Sequence, residues 1–366
     1  MKPVLTSNPF GKTMNISARP FTVVISARRI SVNRVGRARR ARHFPEITFG
    51  NPGAGFSLHV ASLLAALALA FPCASHAADA PQTGRKFASP EEAVASLQVA
   101  TAAADTNALR DILGPASADL QNPDRIQGTN ELKTFSAALA ETNHLVRISD
   151  TFVVLELGDD LWPFPVPIVK TNGAWYFDTD TGKDELLSRR IGRNELATIP
   201  VMRAYVDAQR EYASTDHNGD EILQYAQRLV SSPGKQDGLY WPSSIEGDES
   251  PLGPLVAYAQ GEGYKPELRE EEETQRGPYH GYYFKILTRQ GKHAPIGKYD
   301  YVTNGHMIGG FAMVAWPAAY GESGVMTFIV NQQGRVYQKD LGPKTSQLAA
   351  GMKAYDPDSS WTLSRD

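Results

Sequence analysis

Between Val60 and Phe71 the chain carries an uncharged apolar run of about a dozen residues, followed by Ser75-His76-Ala77. That is short of the roughly 20 residues a membrane-spanning helix needs and within the length of the apolar segment of a cleavable export signal. Small residues at Ser75 and Ala77 suit the −3 and −1 positions of a signal peptidase site. Residues 56–77 therefore read as a signal peptide cleaved after Ala77, and the fold has to be built from residue 78 onward. A competing lipoprotein signal would use Cys73, but Pro72 stands where a lipidated cysteine wants a small residue.

The run also divides the charge. Residues 1–55 carry Lys2, Lys12 and eight arginines against one acid, Glu46, a net charge of +9. Three readings of this leader compete. The start is assigned too far upstream; Arg28-Arg29 or Arg39-Arg40 belongs to a twin-arginine export signal whose full consensus is missing; or the leader is a basic arm for nucleic acid, which an exported protein would discard. Ten of the 37 basic and one of the 40 acidic residues precede the cleavage point, which leaves 27 against 39 and a net charge of about −12. A field of that sign repels nucleic acid and anionic membranes. Cys73 is the only cysteine, so the processed chain has none. Disulfides, thiolate nucleophiles and cysteine-ligated metals are excluded, and about 290 residues must find stability in apolar burial.

The processed chain divides by pattern. After a linker at 78–86, Ser89-Pro90-Glu91-Glu92 forms a capping box with Pro90 in the first turn and Phe87 as a staple. Ala93, Val94, Leu97, Ala100 and Thr101 then recur at helical spacing. Further helices are expected at 107–113 and 131–140. Strands come next, at 145–148, 152–157, 166–170 and 174–178, with Asn172-Gly173 as a hairpin turn. Three helices and a curling antiparallel meander resemble the nuclear-transport-factor-2-like cone, here α+β over 87–190. Trp162-Pro163-Phe164-Pro165 would form an aromatic lip, because proline cannot donate within a central strand.

A second α+β domain is expected over 191–345. Its helix covers 196–213, with Pro200 placed to begin the first full turn, a short helix covers 222–230, another covers 254–262, and Glu270 to Glu273 form an acidic loop. Strands are expected at 282–288, 310–316, 326–331 and 336–340, with Gln332-Gln333-Gly334 as the last turn, and 346–366 reads as a tail. One helix with a meander resembles the globular part of pilin-like and pseudopilin-like proteins, without their polymerising helix.

Several longer runs carry a more specific resemblance: Phe87-Ala88-Ser89-Pro90-Glu91-Glu92-Ala93, Trp162-Pro163-Phe164-Pro165, Arg189-Arg190-Ile191-Gly192-Arg193-Asn194-Glu195-Leu196, Tyr205-Val206-Asp207-Ala208-Gln209-Arg210-Glu211-Tyr212 and Asp237-Gly238-Leu239-Tyr240-Trp241-Pro242. Together they resemble the bacterial family called domain of unknown function 2950, over roughly residues 87–345. The resemblance implies export to the cell envelope, periplasmic or secreted. It brings no activity, cofactor or catalytic residue with it.

Candidate chemistry is sparse. Asp216, Asn218 and Asp220 alternate oxygen donors as the opening of a calcium loop does, but Glu221 and Gln227 stand where an EF-hand wants glycine and a bidentate acid, so a capping turn is the competing account. Calcium is the one cofactor suggested. His144, His217, His280, His293 and His306 lack metal spacing, although His280 and His306 both precede strands and could meet across a sheet edge. No Gly-x-Ser-x-Gly elbow is present.

Arg189, Arg190 and Arg193 form either an anion clamp or a lock between the domains. Trp162, Tyr240 and Trp241 offer flat rings to a sugar or peptide, or anchor a loop in the core. The expectation is a non-enzymatic soluble binding or assembly factor with an envelope protein or small molecule as partner, without nucleic acid and without a membrane span after cleavage. The alternative is a hydrolase or isomerase using Asp159, Asp160 and Asp178 in the pocket of the cone.

Overall fold

Ser89 Oγ accepts a hydrogen bond from Glu92 N at 3.1 Å, and Pro90 opens helix α1 (Pro90–Ala102). Glu92 in turn accepts from the N–H of Ala88 at 2.8 Å, one residue before the position a capping box usually serves. This computed structural model describes residues 83–243, 249–265 and 277–364, all within one compact unit, Ala74–Asp366. The basic leader, the signal segment 56–77 and the acidic run 270–273 lie outside the described residues. Among those described, no helix is long and apolar enough to cross a membrane.

Helix α2 (Thr106–Leu113) is capped by Asp105 and passes through a 3-10 turn at Pro115–Leu120 into α3 (Arg125–Glu141). The third helix starts six residues earlier than expected from sequence. Asp124 Oδ1 accepts from the N–H groups of Ile126 and Gln127 and so closes a first turn whose polar residues show no apolar periodicity.

The first sheet contains β1 (Asn143–Ser149), β2 (Phe152–Leu157), β3 (Trp162–Pro163), β4 (Ile168–Thr171) and β5 (Ala174–Phe177). Its order is β1-β2-β4-β5, antiparallel throughout, with β3 pairing with β2. Thr171 faces Ala174 across Asn172 and Gly173, whose φ angles of 54° and 84° are those of a primed two-residue turn. Val153, Leu155 and Leu157 point to one face, where they pack with Val94, Leu97, Trp175 and Phe177 in a first apolar cluster. Each such fully buried side chain contributes roughly 1.5–3 kcal/mol.

Helix α4 (Thr179–Tyr212) then runs for 34 residues. Apolar spacing predicts a helix beginning near 196, with a domain boundary at 190/191; instead Asp178 caps the element at its start and the boundary position lies inside it. Pro200 sits within the helix and cannot donate to residue 196, whose side chain is exposed. Leu186 packs on the first cluster, whereas Ile199, Met202, Tyr205, Val206 and Tyr212 belong to a second. One helix thus serves both cores.

Residues 222–230, expected to be helical, are not. Buried Gln209 explains why: its amide donates to Ala226 O at 2.8 Å and accepts from Ala226 N at 2.9 Å, as a neighbouring strand would. Tyr225 N also donates to Met307 O at 2.8 Å. Both contacts hold the segment extended. Helix α5 (Gly253–Gly261) comes next.

The remaining strands are β6 (Tyr282–Leu287), β7 (Arg289–Gln290), β8 (Tyr299–Asp300), β9 (Val302–Thr303), β10 (His306–Met307), β11 (Ala312–Pro317), β12 (Met326–Asn331), β13 (Tyr337–Asp340), β14 (Ala354–Tyr355) and β15 (Thr362–Leu363), with helix α6 (Thr345–Ala350) after β13. The main sheet has the order β15-β13-β12-β11-β6. Every residue of β11 is buried, because α4 covers one side and α6 with β14 packs against the strand as well. The segment read as a tail supplies α6, β14 and β15, and Tyr355 within it is buried. The architecture is α+β, with two apolar clusters in one compact unit.

Candidate functional site

Helix α4 carries Leu186, Arg189, Arg190 and Arg193 on one face at helical spacing. That face forms one wall of a cleft of about 800 Å³, a volume within the usual range for small-molecule sites. Phe135, Ala138, Leu157, Phe164 and Leu186 give it an apolar floor, on which the rings of Phe135 and Phe164 meet at 5.0 Å. Trp162 stands at the lip, 6.3 Å from Phe164. Its short strand β3 lies at the side of β2, in keeping with the proline beside it.

The three arginines differ in what they do. Arg189 lies with its guanidinium 5.0 Å from the centre of the Trp162 ring and pairs with Glu185 at 2.7 Å. Arg190 is buried, and it donates to Leu120 O at 2.6 Å and Gln121 O at 3.2 Å. Burial pushes its pKa down, with Glu131 opposing the shift. It locks the 3-10 turn to α4. Arg193 is more than half exposed and reaches Glu131 at 3.1 Å.

The other wall comes from residues far along the chain. Buried Asp124, besides capping α3, accepts through Oδ2 from Tyr264 Oη at 2.8 Å and from Gly281 N at 3.1 Å. Burial, then the Asp124 carboxylate, raises the pKa of Tyr264. Glu262 Oε2 lies 3.0 Å from His280 Nε2, and Asn130 Nδ2 donates to the Glu262 carbonyl at 2.8 Å. His280 itself has φ of 48°, a left-handed conformation uncommon for a residue with a side chain. The hydrogen bonds of its own N–H to Tyr264 and of Gly281 to Asp124 hold the backbone there.

Of the residues singled out in the sequence, Trp162, Arg189, Arg190 and Arg193 meet in this cleft. Tyr240 and Trp241 do not line it. Trp241 is 6% exposed, sits in the second core and tilts against His217 at 5.4 Å, and Tyr240 packs beside it against the same core. His280 and His306 do not meet across a sheet edge, because His280 pairs with Glu262 and His306 lies 3.4 Å from Asp220. Glu131, Phe135, Glu262 and Tyr264 escape a reading of the sequence, and no local pattern marks them, since contacts 130 residues apart assemble this wall.

Asp216, Asn218 and Asp220 form a turn held largely by its own hydrogen bonds. Asp216 accepts from the N–H groups of Asn218, Gly219 and Glu221 at 2.8–3.1 Å, and Asp220 accepts from the Asn218 amide and Ile222 N. The Glu221 N–H, with the others, holds the Asp216 carboxyl below its ordinary pKa. Among the described residues no group of three or more histidines, cysteines and acids is placed to hold a metal ion. Asp178 caps α4, and Asp159 and Asp160 lie exposed on a turn. The inner face of the first sheet is filled by apolar side chains, so these three acids do not share a pocket there.

No curated protein and no solved structure matches the chain. One family does, described as "Protein of unknown function (DUF2950)", over residues 84–363, which takes in both apolar clusters and both walls of the cleft. The chain belongs to the DUF2950 family.

Proposed function

We propose that the protein is exported and acts as a non-enzymatic binding protein whose cleft takes a ligand with an anionic group beside an apolar body. One observation carries the reading: Arg189 and Arg193 project from α4 over a floor of Phe135, Leu157 and Phe164. A guanidinium recognises carboxylate or phosphate through paired donors, and the floor removes apolar area from water. Catalysis has less support, because Asp159, Asp160 and Asp178 cap a helix or lie on a turn. Export rests on the apolar run 60–71 and the small residues after it.

Calorimetric titration of the chain from residue 78 onward with dodecanoate and with dodecanol tests the binding. Dodecanoate is expected to bind at least about tenfold tighter, a difference of roughly 1.4 kcal/mol, and the preference should vanish in the double variant Arg189→Gln, Arg193→Gln. Failure of both probes to bind would overturn the reading. N-terminal sequencing of protein recovered outside the cytoplasm checks the cleavage point.

A further inference from the structure

Arg189 and Glu262 line the same cleft from different walls. Gln127 on α3 is level with Asn194 on α4, to which it is hydrogen bonded, and Glu131 is level with Arg193. Gln127 and Glu131, about one turn apart on α3, thus face Asn194 and Arg193 on α4. Glu262 is tied to α3 at Asn130, whereas Arg189 lies over Trp162, which reaches α3 through Phe164 at Phe135, five residues further along. Asn194 and Arg189 are five residues apart on α4, about 7.5 Å of helical rise.

Glu262 lines the cleft, and its ion partner among the described residues is His280, a group that carries charge only when protonated. Arg189 has Glu185 as its carboxylate neighbour, and Arg190 and Arg193 share Glu131, so three permanent cations meet two carboxylates on this side. An anion at the arginine end and a cation at the Glu262 end would each meet an unlike charge. Between them lie the aromatic floor and, on α3, the polar side chains of Asn130 and Thr134.

We propose that the ligand is a short apolar peptide with free termini. Its carboxylate sits at Arg189, its ammonium group at Glu262, and an apolar side chain rests on Phe135 and Phe164. An extended tripeptide spans about 10 Å, comparable with the wall of α3 from Asn130 to Ala138 at about 12 Å. This rests on the anion-binding reading above and adds a requirement for the opposite charge.

The test is calorimetric titration with Ala-Phe-Ala, its N-acetyl form and its C-terminal amide, with dodecanoate alongside. The free peptide is expected to bind at least about tenfold tighter than either blocked form. Glu262→Gln should abolish the penalty for N-acetylation, and a cooperative thermal transition shows that the variant is folded. Equal affinity for free and blocked peptides overturns the proposal. If dodecanoate binds and none of the peptides does, the zwitterion requirement fails and the anion site stands; if nothing binds, both fail.

Discussion

Gln127 donates a hydrogen bond from Nε2 to Oδ1 of Asn194 at 2.6 Å, across 67 residues of sequence and with Asn194 wholly buried. The other half of the Asn194 amide donates to Ser323 O at 2.9 Å. One side chain on α4 thus ties α3 to the loop before β12.

Replacing Asn194 with Ala should destabilise the protein by about 2–6 kcal/mol, because two buried polar groups lose their partners at about 1–3 kcal/mol each. Urea denaturation of both proteins measures it. A cost below about 1 kcal/mol would mean that water or rearrangement replaces the amide.

Gly182 lies where α4 crosses the proline segment, and a Cβ there would come within 2.6 Å of Pro165 O and Val166 Cα. Backbone on both sides cannot yield as a flexible side chain would. Gly182→Ala should cost about 1–3 kcal/mol despite the better helix propensity of alanine, read from the thermal midpoint.

The two arginines nearest Glu131 should behave differently. Arg190→Ala leaves the carbonyls of Leu120 and Gln121 without their charged donor and should cost about 1.5–3 kcal/mol. Arg193→Ala removes a mostly exposed ion pair and should cost less than about 1 kcal/mol. Denaturation curves for the two variants decide it, and equal costs would contradict the division into a structural and a ligand-facing arginine.

Burial, then Asp237 and Asp216, pushes the Tyr212 phenol up to about 12. The unfolded chain releases that proton near pH 10, before the folded one does. The stabilising contribution is therefore intact below about pH 10 and is lost as pH rises toward about 12. Tyr212→Phe should flatten the fall of stability across this window. An unchanged slope would show that Tyr212 does not titrate there.

Calcium should leave the melting midpoint where chelator leaves it, because Asp216 and Asp220 direct their oxygens at backbone N–H groups and the Asn218 amide. A midpoint that rises with calcium concentration would show a site that this turn does not contain.

Local rules made much of the fold legible. Ser89-Pro90-x-Glu92 placed the first helix, Asn172-Gly173 placed a hairpin, and the alternation of Val153, Leu155 and Leu157 placed the buried face of a strand. Where the reading failed, either a tertiary partner displaced a local preference or a polar first half hid a helix that carries its own cap. Gln209 holds 222–230 extended, and Asp178 starts a helix whose first half looks too polar to be one. The candidate site divides in the same way. Trp162 and the arginines stand out because proline and clustered charge are visible in one dimension.

Sequence by itself determined the capped helices, the turns, the absence of cysteine after residue 73 and the acidic balance of the chain beyond the apolar run. These depend on residues close together or on composition. Tertiary structure decided which residues face one another. It buried Trp241, set Arg190 to lock a turn, and brought Glu262 and His280 into one cleft with Arg189. Such pairings depend on how α3, α4 and the β6 approach pack, and no local propensity encodes a contact whose partners lie more than 60 residues apart.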